Sequence, residues 1–236
     1  AAAVAAAVLL SACSSPKHEP MPLVKFTPSM EVTEVWSKGL SSAEGFLVPA
    51  VYDDMVFAAG GKTLTRLNAR TGETEWSVSF NSPITGGVGS DGYVTAVGLW
   101  DGNLEVVDAE GKVSWEKKLT TELASPPVVS HGLVIARTMD TRVSAFEASS
   151  GELQWTYQRS QPALTVRLPT RMLAHDNFLL VGQPNGHIVI LDIASGKPMF
   201  EFQVAQAKGV TEVERLVDVV LSLIHISEPT RHAQIS

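Results

Sequence analysis

A self-similar stretch recurs four times along this chain and limits its fold more than any other feature. The copies are TLTRLNARTGETEWSVSF (63–80), NLEVVDAEGKVSWEKKL (103–119), RVSAFEASSGELQWTYQ (142–158) and HIVILDIASGKPMFEFQ (187–203). Each runs from a short alternating segment through an Ala or Ile and a small or acidic turn to a glycine. A charged residue, two spacers and an aromatic follow. The glycines are Gly72, Gly111, Gly151 and Gly196, and the aromatics are Trp76, Trp115, Trp155 and Phe200; both series are spaced 39, 40 and 45 residues apart. Trp36 lies 40 residues before Trp76 and extends the series upstream. Periods of this length mark arrays in which each unit buries its apolar face against its neighbours.

Each part of the repeat has a physical job. Alternation such as Leu64 with Arg66, or Val143 with Ala145, suits a strand with one face more buried than the other. The glycine supplies the positive φ of a tight hairpin turn, which residues with a β-carbon resist. The aromatic offers a large apolar surface where neighbouring units meet. Upstream of each hairpin lie two more strand candidates, such as PPVVS and LVIARTM, joined at His131-Gly132. The turn signals YDD, SDG, SHG and HDN occupy that joint in the four units, and Pro49, Pro83, Pro126 and Pro169 open them. Proline is tolerated where a strand starts. Four short strands in about forty residues, without a helical period, spell a β-propeller blade. A β-sandwich would not repeat its turn chemistry four times. Residues 31–219 are therefore expected to form an all-β partial propeller.

The ends read differently. The opening AAAVAAAVLL is too short to span a bilayer, which needs about 20 apolar residues, and matches the apolar core of a secretory signal. Small residues then lead to Cys13, the one cysteine of the chain. This resembles the lipobox of bacterial lipoproteins. On that resemblance, residues 1–12 are a truncated signal peptide and Cys13 carries the lipid, its thiol being the nucleophile that takes it. Several acyl chains on one residue hold where a single chain is marginal. Ser14 stands where an inner-membrane retention signal usually carries Asp, which by resemblance points to the outer membrane. Residues 13–30, rich in Pro and Ser, read as the lipidated cysteine and a flexible tether. From residue 220 the repeat chemistry stops. LSLIHISEPTR resembles the translation of sequencing-adapter DNA, so 220–236 are expected to be a non-native tail.

Composition narrows the function classes. The net charge of −7 with a pI near 5.4 argues against a nucleic-acid binder. One cysteine allows no internal disulfide. The run Gly87-Val88-Gly89-Ser90-Asp91-Gly92 satisfies a dinucleotide fingerprint, but it leads into the strand-like YVTAVGLW rather than a helix, and its Asp-Gly falls on a repeat turn. His131 and His175 fall on equivalent turns of successive units and His187 begins a strand; no pair shows metal-ligand spacing, and they read as surface turn residues rather than ligands. Asp53, Asp91, Asp101 and Asp140 read as turn residues that satisfy local backbone. The tryptophans are accounted for by blade packing. Neither a metal nor a cofactor is expected.

The linkers between units are more informative. From corner aromatic to next opening proline the distances are 7, 11 and 14 residues, and the longest linker contains SQPALTVRLPT. Its Leu164, Val166, Arg167 and Leu168 either contact another protein or fold back onto the blade.

The motif A-x-x-G-[EK]-x-x-W, as in Ala69–Trp76 and Ala148–Trp155, resembles the repeat of the pyrroloquinoline-quinone (PQQ) propeller superfamily. That superfamily usually closes with eight blades, which implies that about four of eight are present. Its dehydrogenases use a quinone against a tryptophan, Ca²⁺, a catalytic Asp and commonly a vicinal cysteine pair, which a single cysteine rules out. Lipobox, tether and blades together, with GVTEVERLVDV after the fourth repeat, resemble the BamB family of lipoproteins of the outer-membrane β-barrel assembly machine. The resemblance spans residues 9–219. It implies a non-enzymatic scaffold that binds the POTRA domains of the central barrel subunit, and so aids insertion of nascent outer-membrane proteins. The implied contacts are Leu164, Val166 and Arg167 on one loop and Asp218 on another. Val166 is a conservative departure, and Val220 stands where the family has a second acid. The alternative is a periplasmic propeller holding a small ligand, a quinone or a glycan, in its channel.

Overall fold

The computed structural model describes residues 33–41, 47–159, 171–184 and 186–204. The chain divides into units 1–34 and 35–236, and the architecture described belongs to the second. Among the described residues are sixteen strands in four antiparallel sheets, each a four-stranded meander. Blade 1 holds β1 (Ala50–Tyr52), β2 (Met55–Gly60), β3 (Thr63–Asn68) and β4 (Thr74–Ser79). Blade 2 holds β5 (Ile84–Ser90), β6 (Thr95–Leu99), β7 (Asn103–Val107) and β8 (Val113–Lys118). Blade 3 holds β9 (Val128–Ser130), β10 (Leu133–Arg137), β11 (Val143–Glu147) and β12 (Leu153–Tyr157). Blade 4 holds β13 (Met172–His175), β14 (Phe178–Gly182), β15 (His187–Asp192) and β16 (Pro198–Gln203). The four-stranded propeller blades expected from the repeat are thus present, each within one repeat.

Sheet faces meet, so the core is a stack of inter-blade layers. Phe57, Leu64, Ile84 and Val97 pack between blades 1 and 2; Leu104, Val106, Val134 and Phe146 between blades 2 and 3; Ile135, Trp155, Leu179 and Leu191 between blades 3 and 4. The strands β6 and β10 are buried along their whole length, so their apolar residues do not alternate with exposed polar ones. The fourth strands β4 and β8 alternate between exposed and half-buried residues, as outer strands do.

The repeat glycines lie in the turn between third and fourth strands, with φ of 71° at Gly72, 84° at Gly111, 70° at Gly151 and 67° at Gly196. Each also lies against the tryptophan of the preceding unit. A β-carbon at Gly72 would come within 2.6 Å of the Trp36 ring, one at Gly111 within 2.8 Å of Trp76, and one at Gly151 within 2.7 Å of Trp115. The indole N–H then donates to a backbone carbonyl of the same turn: Trp36 to Ala69 at 2.8 Å, Trp76 to Ala109 at 2.9 Å, Trp115 to Ala148 at 2.8 Å and Trp155 to Ile193 at 2.8 Å. The repeated Ala or Ile is therefore the acceptor for the neighbouring blade's indole. A register shift next to the aromatic recurs in all four hairpins, at Arg66/Leu67, Val106/Val107, Ala145/Phe146 and Ile190/Leu191. Such a bulge turns the following side chain away from its strand's alternation.

The glycine-rich β5 answers a different need. A β-carbon on Gly86 would meet Leu123 at 2.8 Å and one on Gly87 would meet Pro126 at 2.8 Å. The fingerprint-like spacing thus reflects close approach between the inner strand of blade 2 and the linker into blade 3. Its Asp91-Gly92 forms the β5–β6 turn, where the Asp91 carboxylate accepts from the N–H groups of Tyr93 and Val94.

One cross-strand pair departs from the repeat. Thr65 and Ser77 share a hydroxyl hydrogen bond at 3.1 Å on β3 and β4, and Ser144 and Thr156 one at 3.4 Å on β11 and β12. The equivalent positions of blade 2 are two carboxyls, Glu105 and Glu116, directly opposite in the β7–β8 register. Glu105 is 8% exposed. Burial pushes its carboxyl up to about 7, and the neighbouring Glu116 and Asp101 add to the shift.

Candidate partner-binding end of the blades

The direction of the fourth strands decides which end of the blades carries the inter-blade linkers. Just after β4, the Phe80 N–H donates to the Lys62 carbonyl at 2.9 Å; after β8, Leu119 donates to Gly102 at 3.0 Å; after β16, Val204 donates to Gly186 at 2.8 Å. All three acceptors lie on the turn between second and third strands. Fourth strands therefore end beside these turns. The linkers are stitched to them as well: Trp100 N–H to Pro83, Ala124 N–H to Arg137 and Met139 N–H to Glu122, at 2.8, 2.8 and 3.1 Å.

Two chain segments that carry expected contact residues leave from this end. The linker with Leu164, Val166 and Arg167 departs after β12, and the stretch with Asp218 departs after β16. Those four residues, and Cys13, lie outside the described residues. The point of departure of the blade 3 linker is described. Arg159 forms an ion pair with Glu201 on β16, and His187 Nδ1 lies 2.7 Å from the same Glu201 oxygen. The hydrogen bond from Arg159 holds the Glu201 carboxyl below the usual carboxylate range. This cluster ties the start of the blade 3 linker to the last two strands of blade 4. His187 begins β15, as its place in the repeat suggests, but it is half-buried in this cluster rather than free at the surface.

The remaining histidines and acids follow the turn reading more closely. His131 takes a φ of 55° in the β9–β10 turn, while His175 ends β13 and its neighbour Asp176 takes the positive φ, 48°. Asp53 does the same in blade 1, also at 48°. Asp101 accepts from the Asn103 N–H at 3.1 Å. Asp140 is more constrained. Burial works against its charge, but the hydroxyls of Thr138 and Thr120, the Arg142 backbone and the Arg142 guanidinium together hold its carboxyl below the ordinary value. Among the described residues no three His, Cys, Asp or Glu converge as metal ligands do, and no helix is long and apolar enough to cross a membrane.

One tryptophan was not accounted for correctly by blade packing. Trp100 opens the β6–β7 turn at the linker end of the blades and is 62% exposed. Trp100 lies 24 residues past Trp76, off the spacing of the corner aromatics, and that was the available sequence signal that it is no corner aromatic. At the lock position of blade 4 stands Phe200, which has no N–H to donate and is 56% exposed; Met199, Phe202 and Val204 beside it are also exposed.

Comparison with known proteins identifies the family. The sequence profile of the family described as outer membrane protein assembly factor BamB matches residues 60–229. The outer membrane protein assembly factor BamB of Burkholderia pseudomallei is 38% identical over 224 residues, covering 92% of this chain and 59% of the relative. That of Bordetella pertussis is 33% identical over 218 residues, covering 89% and 56%. This chain therefore spans a little under three fifths of the length of these relatives. Among solved structures, BamB from Moraxella catarrhalis superposes with a TM-score of 0.66 at 28% identity, covering 74% of this chain and 54% of that one. A quinohemoprotein alcohol dehydrogenase from Pseudomonas putida superposes with a TM-score of 0.54 at 18% identity, covering 70% and 34%, a likeness of fold alone. Four blades locked tryptophan to glycine, a matching profile over most of their length and the relatives' identities agree: the chain belongs to the BamB family of outer membrane protein assembly factors.

Proposed function

We propose that this protein is a non-enzymatic scaffold that assists the assembly and insertion of β-barrel proteins into the outer membrane. It does so by binding the POTRA domains of a central barrel subunit, while a lipid on Cys13 holds it at the periplasmic face of that membrane. The observation that supports this reading best is topological. The linker of Leu164, Val166 and Arg167 and the stretch of Asp218 leave their blades at the same end, so one partner surface can meet both. Leu164 and Val166 would supply an apolar anchor, Arg167 a bidentate or carbonyl contact and Asp218 the orientation. A stack of blades tied together by indole hydrogen bonds is suited to this work, because a rigid platform lowers the cost of ordering a binding surface.

In the full-length gene product, Arg167→Glu is expected to weaken capture of the barrel subunit's purified periplasmic domains by about tenfold or more, because it replaces an attraction with a like or mismatched charge. The melting temperature should not move. Unchanged capture would remove Arg167 from the interface and with it the main support for the assignment. Separately, Cys13→Ser should shift the protein from the membrane to the soluble fraction of lysed cells, since the oxygen cannot carry the thioether-linked lipid. Retention in the membrane fraction would show that another element anchors it.

A further inference from the structure

Five tryptophans occur in the chain, and the fold explains four of them. Trp36, Trp76, Trp115 and Trp155 each bond a carbonyl in the next unit. Trp100 does not. Its indole is 62% exposed and its N–H has no hydrogen-bond partner among the described residues. The corresponding turns of the other blades hold no aromatic: they run Gly61-Lys62, Thr138 to Arg142 and Gln183 to Gly186. An indole left in water at a turn gives the fold little, whereas tryptophan is the residue most enriched where binding energy concentrates.

Trp100 forms one wall of a groove of about 530 Å³ between blades 2 and 3. Asp101 and Gly102 of the same turn, Thr121 and Glu122 of the linker, and Met139 and Asp140 of blade 3 complete its lining. The lining contains three carboxylates and no basic side chain. Two cations contact lining residues: Lys118 donates to the Asp101 carbonyl, and the Arg142 Nε lies 3.7 Å from Asp140. Arg142 offsets Asp140, whose oxygens also accept from Thr138 and Thr120. Glu122 has no ion-pair partner among the described residues. The groove thus pairs an exposed aromatic face with an uncompensated carboxylate. A cation over the face of an indole is attracted by the ring quadrupole, and a guanidinium can stack on the ring while its edge meets a carboxylate.

The groove opens at the linker end of the blades, the end from which both expected contact segments depart. We infer that it is a second contact site for the polypeptide partner bound at that end, taking a basic side chain, arginine above all, over the Trp100 ring and against Glu122. This rests on the function proposed above, and extends the footprint from blades 3 and 4 to the junction of blades 2 and 3.

Calorimetric titration of the full-length protein with the barrel subunit's periplasmic domains tests it, at low and at physiological salt. Trp100→Ala is expected to weaken binding about tenfold. Glu122→Gln should weaken it about threefold and flatten its salt dependence, since a screened attraction has been removed. Trp100 is exposed, and Glu122→Gln keeps the size and shape of a half-buried side chain, so melting temperatures should match the parent; if Trp100→Ala lowers it, Glu122→Gln carries the test. Parent-like affinity in both variants, beside a weakened Arg167→Glu, overturns the groove and leaves the proposed function standing. Loss of a self-association on Trp100→Ala, with partner binding unchanged, gives the groove to a second copy and overturns the inference too. Failure of the parent protein to bind these domains at all removes both readings.

Discussion

Trp155→Ala is expected to destabilise the protein by about 3–5 kcal/mol, the range for removing a large aromatic from a packed interior. Trp155 is 9% exposed in the layer between blades 3 and 4, and its N–H donates to the Ile193 carbonyl at 2.8 Å. Truncation removes the ring from its place over Gly196 and leaves that carbonyl without its donor, a further cost of about 1–3 kcal/mol if water does not reach it. Trp155→Phe separates the two effects: it keeps most of the apolar contact and should cost about 1–2 kcal/mol. Urea unfolding followed by circular dichroism reads both. The repeat supplies a built-in comparison, because Phe200 occupies the lock position of blade 4 without a bond to give. A loss under about 1 kcal/mol for Trp155→Ala would mean that the indole lock does not hold the blades together.

The second large effect is a pH dependence carried by Glu105. Its carboxyl is raised from an ordinary 4.5 to about 7 in the folded chain, by burial first and by Glu116 next. A raised carboxyl prefers its proton in the folded state. Below pH 4.5 both folded and unfolded chains hold the proton and the group costs nothing. Between 4.5 and 7 the unfolded chain releases it while the folded chain keeps it, so stability falls as pH rises; above 7 the loss levels off at about 3 kcal/mol. Glu105→Gln keeps a donor toward Glu116 and has no proton to lose. The variant should unfold at higher urea than the parent at pH 8, and close to the parent at pH 4.5. Parallel stability curves for the two proteins across pH 4.5–8 would show that the Glu105–Glu116 pair does not share a proton in the folded state. The hydroxyl pairs at the same position in blades 1 and 3, Thr65–Ser77 and Ser144–Thr156, show what a pH-neutral solution looks like.

The sequence by itself determined the fold class, the four-stranded blade repeat and the corner glycines. It could do so because these depend on local chemistry repeated at a fixed period: alternation, a positive-φ turn and an aromatic at constant offset. It also placed the Asp91-Gly92 of the β5 glycine run on a repeat turn and a strand after it, as the structure has them. Tertiary structure decided what each repeated residue is for. That the Trp76 indole seeks the Ala109 carbonyl, 33 residues away, cannot be read from either stretch alone. The bulge that aims the ring is likewise a property of strand pairing. Tertiary structure also separated Trp100 from the four locking tryptophans, set Glu105 opposite Glu116 and joined His187 to Arg159 through Glu201. These are relations between residues on different strands, and a one-dimensional pattern records spacing along the chain, not distance across it.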